Sequence, residues 1–312
     1  MAFQPHVTVL AGGSNCNQPE MTKEHRTLVD NAFEEGHYES GIAILNQVHY
    51  PSSLPSKDHV RQLLYIVLYP HSRSSNQDKG GSKTAATKSG AYLIPSPAAS
   101  SAAMTCLTGF VNSNSPAALL RGLPSHPAID EHRSPDWVLQ LEDDFVTGHD
   151  SKVAKEADRF KRCKDCWSML EESFIPPPSA AIIVGPPSPS KRRQNDMVTY
   201  HTPRDANHSL KPIGPEAWPV LHWLLTIFEK DQDETSSKGE KQLVRYSPLL
   251  LSQIPPTRSD NGAKWDANVP LEIAFFCLEQ EADVRKDMGF RLLSLVRGQS
   301  SLSKSAFIKP LL

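Results

Sequence analysis

Cysteine is scarce in this chain of 312 residues, and the five present are scattered and odd in number: Cys16, Cys106, Cys163, Cys166 and Cys277. That argues against a disulfide framework and predicts a reducing compartment. Net charge is nearly absent too, at -2, so there is no general attraction to nucleic acid or to an anionic membrane. Long hydrophobic runs are missing. The longest, "WPVLHWLLTIF" from Trp218, is too short to span a bilayer and contains His222. At the N-terminus, "MAFQPHVTVLAGGSNC" has no basic residue ahead of its short apolar run, so no secretory signal is expected there. Strand signals are rare outside "AIIV" at Ala181, which argues against a sheet-based fold. Hydrophobic residues reach only 38% while prolines number 26, a balance that predicts ordered pieces separated by disordered ones.

What is present is helical periodicity. After a flexible leader over residues 1–20, a helical block is expected at 21–70. In it Leu28, Val29, Ala32 and Phe33 make one stripe and Ile42, Leu45 and Val48 another, with Gly36 as the stop between them. A third helix follows, with Ser56 as N-cap, a buried stripe of Val60, Leu63, Leu64, Val67 and Leu68, and Pro70 as terminator. Residues 71–97, rich in Ser, Gly and Lys, cannot bury enough apolar surface to offset their ordering entropy and are expected to be a linker. The second block, 98–175, should hold helices over Ala98 to Val111, Pro116 to Leu123 and Pro135 to Thr147, the last two capped by Ser115 and Ser134. It should close with one long amphipathic helix carrying Val153, Ala157, Phe160, Cys163, Trp167, Leu170 and Phe174. Residues 176–215 form a Pro/Ser-rich linker, and 216–312 a C-terminal helical block with helices at Glu216 to Lys230, Lys241 to Tyr246 and Pro248 to Ile254. The order of elements predicts an all-α fold of helical hairpins, stacked as an irregular repeat or as a bundle.

The block ends in a hairpin at 270–296. Its first helix is apolar nearly all round, with Leu271, Ala274, Phe275 and Leu278 on one stripe and Ile273, Phe276 and Cys277 on a second, so it needs cover on two sides. Asp283 is placed to cap the second helix. Val284, Met288, Leu292 and Leu295 then face back at the first, with Arg285 and Lys286 outside, and this hairpin is the candidate partner-facing element. Beyond Val296 the remaining "RGQSSLSKSAFIKPLL" is too short for a full capping repeat. Folding back of "AFIKPLL", cover by a partner, and continuation into a longer helical protein all stay open.

Two resemblances follow from these residues. Phe33, Gly36, Tyr38, Leu45 and Pro51 resemble the turn and second helix of a tetratricopeptide unit, with Gly41 where that motif prefers Ala. Pro270 to Val296, with its apolar helix, Asp-containing turn, Val-Arg start and closing "LLSLV", resembles a HEAT or armadillo-type unit. The latter implies a scaffold with a long protein-binding surface; an ordinary bundle with one internal hairpin is the alternative.

Motifs for chemistry are sparse. "CKDC" at Cys163 to Cys166 has zinc and redox spacing but no second ligand pair, and a helical period runs through it, so it is expected to be structural. "GPPSPSKR" from Gly185 has the outline of a phosphate loop, but its prolines lack the N–H groups such a loop needs. The consecutive acids Glu142 to Asp144 point in different directions on a helix. No nucleophile, metal or cofactor set is nominated. In the second linker, Ser188 in "SPSK" resembles a proline-directed phosphosite and Lys191, Arg192 and Arg193 resemble a nuclear import signal. The sequence thus predicts a non-enzymatic scaffold or adaptor without a cofactor, intracellular, nuclear rather than cytoplasmic, binding a protein partner and no membrane. The alternative is an α-helical nucleic-acid-associated factor in chromosome maintenance or gene regulation, using Lys191 to Arg193 and the cations of Arg159 to Lys164, with Glu156, Asp158 and Asp165 interrupting them.

Overall fold

The structure is a computed structural model that describes residues 21–49, 53–71, 94–124, 126, 151–176, 211–237, 246–256 and 265–298. The expected helices at Pro135 to Thr147 and Lys241 to Tyr246 lie outside them, apart from Tyr246, as do Ser188, Lys191, Arg192 and Arg193. Among the described residues the fold is all-α and no strand is present; an isolated antiparallel bridge joins Pro256 and Trp265.

The first hairpin pairs α1 (Lys23–Glu34) with α2 (Tyr38–His49). Thr22 accepts from the His25 N–H at the start of α1. At its end Gly36, with φ of 78°, gives N–H bonds from Gly36 to Phe33 O and from His37 to Ala32 O, the paired bonds of a Schellman stop. Val29 and Phe33 are buried, but Leu28 is 53% exposed and leaves the expected stripe. At Gly41 a Cβ would stand 2.5 Å from the Phe33 ring, which is why Ala, the residue a tetratricopeptide unit prefers, is not accommodated here.

Helix α3 (Lys57–Leu68) starts at Ser56, whose Oγ accepts from Asp58 N. It is buried on more than the expected stripe, because His59, Gln62, Tyr65 and Ile66 are covered as well. The cover comes from α4 (Pro97–Ser113) and α6 (Lys152–Ala157). Helix α4 begins one residue earlier than the periodicity implies, since Ser96 caps Ala99 N and Pro97 occupies the first turn. α5 (Pro116–Leu120), capped by Ser115, is shorter than expected.

The expected long helix through Trp167 is not formed. α6 ends at Ala157, a 3-10 turn covers Asp158–Arg162, Cys163 is extended with ψ of 148°, and a second 3-10 turn covers Ser168–Leu170. The cause lies in Asp165, whose Oδ1 accepts from Trp167 N, Ser168 N and Ser168 Oγ and so offers the backbone an alternative to helix. Distant groups complete the break: Gln253 Oε1 accepts from Cys166 N and Gln253 O from the Trp167 indole, both at 2.8 Å. The three-and-four spacing reported burial for Val153, Ala157, Phe160, Trp167 and Leu170, which are core residues, while Cys163 and Phe174 are only partly buried, and it did not report helix.

Helix α7 (Trp218–Ser237), entered through a 3-10 turn at Pro215–Ala217, outlasts its expected end at Lys230. It packs on α4, α5 and α8 (Pro248–Leu251), the last a single turn where a longer helix was expected. The end of the second expected linker is ordered. Ile213 is buried, and Gly214 N and Glu172 N donate to Leu170 O and Lys211 O. The chain closes with α9 (Asn268–Leu278) and α10 (Asp283–Arg297), and all three helical blocks feed one apolar core from Met21 to Val296.

Candidate functional site

The α9–α10 hairpin is held together at a glycine. Gly289 is buried, and a Cβ there would meet Ala274 O at 2.8 Å and Cys277 Cβ at 3.0 Å, so its absence lets the two helices close on each other. Met288, Leu292, Leu295 and Val296 are buried in the resulting seam, together with Leu271, Ile273, Ala274 and Cys277 of α9. Burial pushes the Cys277 thiol up to about 12. Two expectations fail at the start of α10. Ala282 is the N-cap and Asp283 makes no capping bond, while Val284 is 68% exposed instead of facing α9. Of the four residues expected on the partner-facing element, Met288, Leu292 and Leu295 are therefore consumed by the chain's own core.

The second side of the hairpin is covered by α7. Arg291 of α10 holds Glu229 of α7, and this hydrogen bonding keeps its guanidinium even more firmly protonated than usual. Arg285, expected outside, lies over the Trp218 ring at 4.4 Å, and Phe276 stacks on that ring with an interplanar angle of 16°. A cation and an aromatic plane thus share one indole.

What remains uncovered is on α9 itself. Half-buried Phe275 and Phe276, over a floor of buried Leu271 and beside Pro212 from the segment before α7, line an open groove of about 450 Å³ whose polar lining is Asn268, Glu272 and Glu279. Both glutamates are exposed, and among the described residues neither forms an ion pair. The groove was half legible: an apolar helix needing cover on two sides is a sequence signal, but Pro212 belongs to a stretch that reads as linker.

The other sequence candidates are placed differently. Cys163 and Cys166 are free thiols, the first half-buried and pushed up to about 11 by burial, the second wholly buried and pushed well above its usual range. Both stay protonated near neutrality, a poor state for metal or redox work. Among the described residues no group of three or more His, Cys, Asp and Glu is arranged to hold a metal ion, and no helix is long and apolar enough to cross a membrane. Around α6 the cations lie at the surface, a strip in sequence: Lys152, Lys155, Lys161, Arg162 and Lys164 are exposed and Arg159 is half-exposed. Glu156 pairs with Arg159 and Asp158 with Lys161. Asp165, which interrupts the strip in sequence, is turned inward and lies 3.3 Å from His126. No family model, no curated protein and no solved structure matches the chain.

Proposed function

We propose that this protein is a non-enzymatic helical scaffold that binds a protein partner through the outer face of α9. The observation that carries the reading is the open groove in which partly exposed Phe275, Phe276 and Pro212 leave an apolar surface that hydration disfavours and a partner side chain would fill. The resemblance of Pro270 to Val296 to a HEAT or armadillo unit supports the same reading. Proximity labelling in cells with three forms of the protein tests it. Partners retained by the wild type and by Phe290→Glu, which alters an exposed residue outside the groove, but lost from Phe275→Glu support the reading. Identical partner sets for all three refute it. Nuclear import through Lys191, Arg192 and Arg193, with Ser188 as a phosphorylated switch beside them, belongs to the same proposal. Alanine at those three cations should shift a fluorescent fusion to the cytoplasm.

A second reading, nucleic-acid association, is favoured by one observation, the cationic strip from which Asp165 is withdrawn. Replacing Lys152, Arg162 and Lys164 by Glu should abolish salt-sensitive binding to duplex DNA or RNA. Unchanged binding would exclude the strip.

A further inference from the structure

The groove on α9 has a charge pattern as well as an apolar floor. From Asn268 to Asp283 the chain carries Glu272, Glu279, Glu281 and Asp283 and no Lys or Arg. Glu272 and Glu279 belong to the groove lining, two helical turns apart, which places them about 10 Å from each other along the axis with Phe275 and Phe276 between them. The C-terminal end of α9 adds the negative pole of the helix dipole beside Glu279. The next cations along the chain are directed elsewhere: Arg285 lies over Trp218 and donates to Gln280, and Lys286 pairs with Asp283, so neither forms an ion pair with Glu272 or Glu279 among the described residues.

We infer that the occupant is an amphipathic helix of a partner protein, with large apolar side chains on one face and Lys or Arg about seven residues apart beside them. This rests on the protein-binding reading above and names its partner chemistry. Helices lay apolar anchors into grooves of this kind at i, i+3 or i+4 spacing, and a cation two turns from its counterpart on the partner matches the spacing of Glu272 and Glu279. The apolar floor supplies affinity, while the two carboxylates select against acidic helices, because like charges brought together across an interface are repelled.

The test uses the full-length protein and three synthetic amphipathic helical peptides of about five turns, with the same Leu face and a polar face of Lys, Gln or Glu. A scrambled Lys/Leu peptide is the control for charge alone. Binding is read by fluorescence anisotropy to wild type, Glu272→Lys/Glu279→Lys and Phe275→Ser, each first checked for its melting temperature. The expected result is tightest binding by the Lys helix, roughly tenfold weaker binding to the double charge reversal, and a gain of the Glu helix on that variant. Equal binding of the Lys helix to wild type and charge reversal, or equal binding by the scramble, overturns the inference. Failure of the two readings is separable: binding of the Gln helix that Phe275→Ser removes, without any Lys preference, overturns the basic partner and keeps the groove. If Phe275→Ser weakens none of the peptides, both readings fall.

Discussion

Arg291 and Glu229 meet through two parallel hydrogen bonds, Nε to Oε1 and Nη2 to Oε2, each at 2.7 Å. This fork joins α10 to α7 and fixes the hairpin at a residue pair far apart in sequence. The bidentate geometry makes it stronger than an ordinary surface pair, but partial exposure of both side chains reduces its value. Arg291→Met should lower stability by about 1 kcal/mol, and a double-mutant cycle with Glu229→Gln, followed by urea unfolding, should return a coupling of similar size. No coupling would mean that the hairpin is held by apolar packing alone.

Gly289→Ala should destabilise although Ala favours helix. The added methyl meets a backbone carbonyl at 2.8 Å, which cannot rotate away, so overpacking of about 1–3 kcal/mol outweighs the propensity gain of about 1 kcal/mol. Gly109→Ala, on exposed α4 surface with nothing within 4 Å, is the matched control and should stabilise by about 0.5–1 kcal/mol. Thermal melts of the two variants should move in opposite directions.

Lys230 is a tertiary cap. Its Nζ donates to Val111 O at 2.7 Å and to Asn114 O at 2.8 Å, satisfying carbonyls at the C-terminal end of α4 where a positive charge also complements the dipole. Lys230→Met keeps the aliphatic stem and removes the donor, so a loss of about 2 kcal/mol is expected by chemical denaturation. Amide exchange should quicken in the last turn of α4 more than in α1 or α2.

Burial raises the thiols of Cys106 and Cys277 to about 12 and that of Cys163 to about 11, from an ordinary value of 9.0. The folded state therefore keeps these protons after the unfolded chain would lose them. Stability is full below about pH 9 and falls as pH rises through 11 toward 12. Urea midpoints measured at pH 7, 9 and 10 should decline across the series, and serine at Cys163 should flatten part of that decline.

The helical hairpins were legible because their signals are short-range. Gly36 as a stop, Ser56 and Ser115 as caps and the stripe through Leu63, Leu64 and Val67 each act within a few residues, and the structure keeps all of them. The stretch around Cys163 misled for a related reason. Core burial at steps of three and four is shared by α-helix and by successive 3-10 turns, and only the Asp165 and Gln253 bonds separate the two. Val284 and Asp283 misled because a position just inside a helix start reads equally well as cap, seam or surface.

By itself the sequence determined the all-α class, where most described helices begin or end, and that α9 carries more apolar surface than one partner helix can cover. These depend on backbone propensity, capping and periodicity, which act along a few neighbouring residues. Tertiary structure alone decided which surface stays open. Gly289 let α10 close on one side of α9, and Arg285, Trp218 and Glu229 drew the hairpin onto α7. Pro212 arrived from a distant segment to make the remaining face a groove. Long-range desolvation and hydrogen bonding between residues far apart in the chain set that outcome, and no local pattern encodes them.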